Sequence, residues 1–262
     1  MSFATAFIGG TGVYDPDILD DARLETVDTP YGEAVVNLGR FNGRNVVFLA
    51  RHGAGHSVPP HRVNYRANMA ALKKLGVQSV LATAAVGSLN PSMQPGDFVA
   101  VDQFIDLTKS RPQTYFEGGD EGVVHTDMTD PYCPRIRELL GRAGGSLKLV
   151  VHAGGTYVCT EGPRFETPAE VRMIQHVGGD LVGMTGVPEV VLARELDLCY
   201  STVAMVTNFA AGISPTRLSH QEVLDVMAQN AGNIQRLAMQ VIDWLGADRA
   251  CPCRGDGTAP RL

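Results

Sequence analysis

Five short stretches of the chain combine residue types that can do chemistry. FIGGTGVY, residues 7–14, runs from an apolar segment into glycines and a hydroxyl residue, Thr11. Such a turn can aim backbone N–H groups at an anion, although taken alone it also fits a plain tight turn. LARHGAGHS, residues 49–57, places Arg51, His52 and His56 directly after a strand-like run. A guanidinium fork suits phosphate, and equally a surface salt bridge. TAAVGS, residues 83–88, is a turn of small residues containing Ala84 and Ala85, where backbone can approach a ligand closely. GMTGVPE, residues 183–189, sets Met184 and Thr185 just before a helix. EGPRFETPAE, residues 161–170, holds Phe165 beside Glu166, a flat ring next to a hydrogen-bonding acid that can bind a heterocyclic base. The alternative is a core phenylalanine and a solvated glutamate. Four of the five stretches end strands in small or hydroxyl residues, so together they point to one anion site more strongly than any does singly. A sixth position, Asn208, closes the apolar run YSTVAMVTN with an uncharged amide. Ligands of open α/β sheets gather at such carboxyl strand ends.

The elements that must position these residues alternate along the chain. ATAFIGG reads as a strand into a glycine turn. AVVNLGRFNGRNVVFLAR reads as a hairpin over FNGR, and NYRANMAALKKLG as a helix stopped by Gly76. QSVLATAAVGS reads as a strand into a glycine turn, DFVAVDQFIDL as one strand, CPRIRELLGRA as a helix, and TYVCT as a strand. TPAEVRMIQHVG is a helix capped by Thr167, with Pro168 at its first position. DLVGM, VPEVVLARELD, YSTVAMVTN and the long segment from Leu218 to Gly246 continue the alternation. This predicts an α/β fold, a single domain with a central mixed β-sheet flanked by helices on both faces. The domain spans residues 1–246, and a polar C-terminal tail with a CxC pair spans 247–262.

Composition bounds the function. The 262 residues are 44% hydrophobic and 19% charged, with a formal net charge of −6. A sizeable core is within reach of that length, and the acidic balance argues against nucleic acid as the main partner. No apolar run approaches a membrane span, and MSFATAFIGG lacks the basic start of a signal peptide, so a cytoplasmic protein is expected. There is no HExxH, no GxSxG and no Cys/His set with zinc spacing. Cys133, Cys159 and Cys199 read as small buried hydrophobes. Cys251 and Cys253, in CPCRG, can be redox-active, bind a soft metal or form a disulfide.

The ordered motifs FIGGTGVYDPDIL, DTPYGEA, LARHGAGHSVPPHRVNYRANMAALK, ATAAVGSLNPSMQPGDFVAVDQFIDLT, EGPRFET and GMTGVPEVVLARE resemble the trimeric purine nucleoside phosphorylases, in particular their methylthioadenosine phosphorylase branch. The resemblance covers residues 3–245. It implies a homotrimer or a dimer of trimers, a nucleoside and inorganic phosphate as substrates, and neither metal nor organic cofactor. Carried over by position, it places phosphate on Thr11, Arg51, His52, Ala84, Ala85 and Thr185. It places the sugar on Met184 and the base on Phe165, and His125 reaches the sugar from a neighbouring subunit.

Three positions depart from the adenine-cleaving branch. That branch has aspartates where this chain has Asn208 and Ala210, and a small hydroxyl residue where it has Glu166. An amide can donate to a 6-oxo group and accept from a protonated N7. A carboxylate at 166 accepts from N1–H of a 6-oxopurine but faces a lone pair on adenine. SHQEVL, residues 219–224, resembles a segment of the inosine- and guanosine-cleaving enzymes in which the histidine, here His220, bonds the ribose 5′-hydroxyl. The expected activity is therefore phosphorolysis of 6-oxopurine ribonucleosides, with Asn208, Glu166 and His220 as the deciding residues. Methylthioinosine and methylthioadenosine phosphorylases are the alternatives. The CxC tail resembles that of some heat-stable relatives, in which the two cysteines are paired.

Overall fold

The computed structural model describes residues 3–10, 19–53, 55, 57–119, 122–214, 217, 219–245 and 251–253. Thr11 and His56 lie outside the described residues, and so does the side chain of His220. Eleven strands and five helices are described: β1 (Thr5–Gly9), β2 (Asp20–Thr29), β3 (Gly32–Phe41), β4 (Arg44–Ala50), α1 (Tyr65–Lys74), β5 (Ser79–Ser88), β6 (Phe98–Ala100), β7 (Gln103–Leu107), α2 (Pro134–Leu147), β8 (Val151–His152), β9 (Thr156–Thr160), α3 (Pro168–His176), β10 (Leu181–Gly183), α4 (Gly186–Glu195), β11 (Cys199–Phe209) and α5 (His220–Trp244). The fold is α/β, built on one mixed sheet.

The local signals act as their chemistry requires. Asn42 and Gly43 turn the β3–β4 hairpin, both at positive φ. Asn64 caps α1 by accepting from the Ala67 N–H. Thr167 and Glu170 form a full capping box on α3. Helices α1 and α4 pack on one face of the sheet with the larger core cluster, and α2 and α5 on the other. Ten of the eleven β11 residues are buried, as a strand covered on both faces must be.

The TAAVGS stretch, read as a turn, is strand throughout, because residues 83–88 continue β5 alongside β11. Two other elements differ from the sequence reading. DFVAVDQFIDL is not one strand. Residues 98–100 pair with β11, whereas residues 103–107 pair with β9. The chain changes sheet branch at Asp102, whose carboxylate accepts from the Gly155 N–H at 2.9 Å. The second difference is β2, which has no hydrophobic alternation because it is a solvated edge. Its charged side chains flank β3 on one side only, a composition that discourages pairing with another chain.

The feature that makes a site is a fork beside β5. On the flank opposite β11, β5 pairs in parallel with β1 over residues 79–82, then antiparallel with β10 at residues 87–88. Strands β1 and β10 therefore run towards each other and stop. Residues 83–86 of β5 lie between their two carboxyl ends.

Candidate active site

A cavity of about 390 Å³ occupies this gap. Its floor is Ala84, Ala85, Val86 and Gly87 of β5. Gly10 enters from β1, and Gly183, Met184 and Thr185 enter from β10. Arg51 and His52 follow β4, Phe165 and Glu166 follow β9, and Asn208 and Ala210 follow the end of β11. Ten of the residues singled out from the sequence thus line one cavity. His125 does not line it: it lies exposed in an irregular segment between β7 and α2. For His220 only the helix position is described, with Val223, three residues on, lining the cavity.

Arg51 is held differently from the free fork its sequence context suggests. Its side chain is 1% exposed. Nε and Nη2 each donate to Glu189 of α4 at 2.7 Å, and Nη1 donates to the Thr83 carbonyl at 2.8 Å. The fork is spent on a buried carboxylate, leaving the second hydrogens of Nη1 and Nη2. Burial alone would depress the guanidinium pKa, but the adjoining Glu189 carboxylate outweighs it and holds the pKa above its ordinary value. Glu189 also accepts from the Tyr200 hydroxyl at 2.7 Å. The pairing restricts the rotamers of Arg51, so its remaining donors have a fixed direction. Gly10 must be small here, because a Cβ would stand 3.2 Å from Nη1 and 3.3 Å from the Thr83 carbonyl.

His52 is oriented by its own loop. Its Nδ1 lies 2.8 Å from the Val58 carbonyl, and the Val58 N–H returns to the His52 carbonyl. A carbonyl only accepts, so Nδ1 is the ring nitrogen that carries the proton in this contact.

Thr185 precedes α4. The N–H groups of Thr185 and Gly186 both donate to the Tyr157 hydroxyl, at 3.1 and 3.2 Å. A tyrosine from β9 thereby takes the first amides of this helix end, and burial pushes its pKa up. The ring lies flush on Gly183, where an added Cβ would collide with the Tyr157 hydroxyl and ring. Gly183→Ala is expected to displace Tyr157 from both amides and to cost about 1–3 kcal/mol, the usual range for overpacking. Thermal unfolding of the variant checks this.

Arg111 supports the opposite wall. It is buried, with Nη1 donating to the Met184 and Val187 carbonyls at 2.8 and 2.7 Å and Nη2 to the Glu161 carbonyl at 2.7 Å. It fixes the backbone at Met184 to the loop carrying Phe165 and Glu166. On that loop, Glu166 accepts from the Thr160 hydroxyl through Oε1 at 2.6 Å. Phe165 is 39% exposed, an apolar ring presented to the cavity rather than packed in the core.

Asn208 is 5% exposed. A register shift between β11 and β5 falls between Val206 and Asn208. Bulges of this kind re-aim side chains beside sites. The Phe209 carbonyl, 2.9 Å away, can only accept, so the atom facing it is Nδ2. Oδ1 then meets the Thr207 hydroxyl at 2.7 Å. One N–H and one lone pair remain beyond these contacts.

Glu189, Tyr157, Arg111 and Thr160 escaped the sequence reading. Only Glu189 left a trace there, as a lone carboxylate among the apolar residues of VPEVVLA.

The model of the phosphorylase superfamily matches residues 4–243. The chain belongs to the phosphorylase superfamily. Among its relatives is a protein of Moorella thermoacetica named a probable 6-oxopurine nucleoside phosphorylase. It is 60% identical over 248 residues, covering 95% of each chain. Another, from Methanothermobacter thermautotrophicus, is named a probable S-methyl-5′-thioinosine phosphorylase and is 49% identical over 94% of this chain and 86% of its own. The methylthioadenosine phosphorylase of Schistosoma mansoni, solved in complex with adenine, superposes with a TM-score of 0.90 at 34% identity, covering 95% of this chain and 93% of that one. The mixed sheet with its flanking helices is thus the superfamily's fold, and the cavity at the fork of β5 is this member's candidate active site.

Proposed function

We propose that the protein cleaves 6-oxopurine ribonucleosides with inorganic phosphate, releasing the free base and ribose 1-phosphate. The observation that carries this reading is the buried amide of Asn208 in one cavity with the Glu166 carboxylate. The name of the 60%-identical relative supports it. Asn208 keeps one N–H for a 6-oxo group and one lone pair for a protonated N7. Glu166 keeps Oε2 for the N1–H. Adenine would place a lone pair against Glu166, and a mispaired buried polar group of this kind can cost about four to five decades in discrimination.

Phosphate binds among Thr11, Arg51, His52, Ala84, Ala85 and Thr185. The ribose lies along Met184, and the base stacks on Phe165. The C1′–N9 bond breaks as a phosphate oxygen closes on C1′, whose cationic character the anion stabilises. The proton lost by hydrogen phosphate ends on the base, so charge and atoms balance. The protein supplies positioning and fixed dipoles, with no covalent nucleophile, metal or organic cofactor.

The active species is a cytoplasmic homotrimer, or a dimer of trimers, in which His125 of one subunit completes its neighbour's sugar pocket. Val123, two residues away and 70% exposed, suits burial against such a neighbour.

Base release from inosine, guanosine, adenosine, methylthioadenosine and methylthioinosine, each with and without phosphate, tests the reading. Phosphate-dependent turnover of inosine and guanosine with adenine substrates nearly inert is expected. Preference for methylthioadenosine overturns it. The name of the Methanothermobacter relative favours methylthioinosine as a second reading, and His220→Ala separates the two. The substitution lowers inosine turnover and spares methylthioinosine if the 5′-hydroxyl is the natural partner.

A further inference from the structure

Far from the cavity, four of the five cysteines meet. Cys133 is the N-cap of α2, Cys199 begins β11, and Cys251 and Cys253 lie in a turn beyond α5. Their sulfur atoms all lie within 4.8 Å of one another, with Cys199 and Cys251 at 3.2 Å. None is in a disulfide. Cys133, Cys199 and Cys253 are buried and pack into the core between the sheet and α2 and α5, with Cys251 half-buried against them. The fifth cysteine, Cys159, is buried in the other core cluster, as a small hydrophobe would be.

We propose that Cys133, Cys199, Cys251 and Cys253 form a four-thiolate site for one tetrahedral thiophilic divalent cation, with Zn²⁺ as the cation it fits best. A tetrahedron of sulfurs at the Zn–S distance of about 2.3 Å has edges of roughly 3.8 Å. The cluster needs only small side-chain adjustments to reach that. Binding converts four thiols to thiolates and releases their protons, so the loaded site carries two net negative charges. Two features offset them. The amino end of α2, a 14-residue helix with no acidic residue in its first turn, points its positive end at Cys133. Arg194 donates through Nη1 to the Cys253 carbonyl at 3.0 Å, and its buried Nε has no hydrogen-bond partner among the described residues. The spacing of these cysteines in sequence resembles no zinc motif because three separate elements supply them. The cation would tie the segment after α5 to α2 and β11.

The test uses the full chain, purified under reducing conditions, given Zn²⁺, desalted and assayed for metal. One zinc per chain is expected, displaced by a thiol-modifying reagent, with stoichiometric retention lost in Cys251→Ser/Cys253→Ser. Phosphorolysis by that double variant should be unchanged, because the site lies outside the catalytic cavity. In the wild-type chain, Co²⁺ should give sulfur-to-metal charge transfer and intense visible bands of a tetrahedral site, a readout independent of how the variant folds. Zinc retention no greater in the wild type than in the double variant overturns the proposal. So does a Co²⁺ spectrum without charge transfer, or a reduced-handling mass lighter by the hydrogens that two disulfides would lose.

Discussion

Asn208→Ala is expected to lower kcat on inosine by about 10²–10³-fold, the usual loss when one preorganised donor to developing charge is removed. The fold should lose far less. Thr207 keeps an alternative acceptor in the Val86 carbonyl at 3.1 Å. Only the Phe209 carbonyl loses its side-chain donor, a cost of about 1–3 kcal/mol. At roughly 2–4 °C per kcal/mol for a chain of this size, the melting temperature should drop only modestly. Steady-state kinetics on inosine beside a melting curve separates the two effects. Wild-type turnover in the variant would remove Asn208 from base recognition. Asn208→Asp is a harsher change than its size suggests, because a carboxylate would face the Phe209 carbonyl without a proton to donate.

Glu189→Ala should give the largest loss of stability. It strands the Arg51 guanidinium in a site where the side chain is 1% exposed, with the Thr83 carbonyl as its remaining hydrogen-bond partner among the described residues, and it removes the acceptor of Tyr200. Breaking a buried pair in this way costs about 3–5 kcal/mol. The same change frees Arg51 to rotate, so the KM for phosphate should rise as well. Arg51→Met/Glu189→Leu distinguishes the two roles. Replacing a buried pair with apolar residues is often neutral or stabilising, so the double variant should regain most of the melting temperature. It should not regain phosphate-dependent turnover. Recovery of both would make the pair purely structural.

Much of this molecule is legible locally. The helix cap at Thr167 and the Asn42–Gly43 turn depend on neighbours a few residues apart, and they formed as their chemistry dictates. The small and hydroxyl residues at strand ends are legible because each follows directly on an apolar run, but their convergence was not, since it rests on β9 and β10 running opposite to β1, β4 and β5. The edge strand β2 and the division of DFVAVDQFIDL were not legible. Both depend on which strand lies alongside, and a polar edge or a mid-strand change of partner leaves no period in the sequence.

The sequence by itself determined the α/β class, the segments that surround the cavity, and the identity of the two residues we propose for base recognition, Asn208 and Glu166. Those are choices of residue type, and residue type is what a sequence states. Only the tertiary structure decided how the residues are held. Arg51 and Glu189 are 138 positions apart, and their pairing turns a flexible cation into a fixed donor. Cys133 and Cys253 meet only because α2, β11 and the tail converge beneath the sheet. Partners so distant along the chain are joined by the packing of elements between them, and no local pattern encodes that distance.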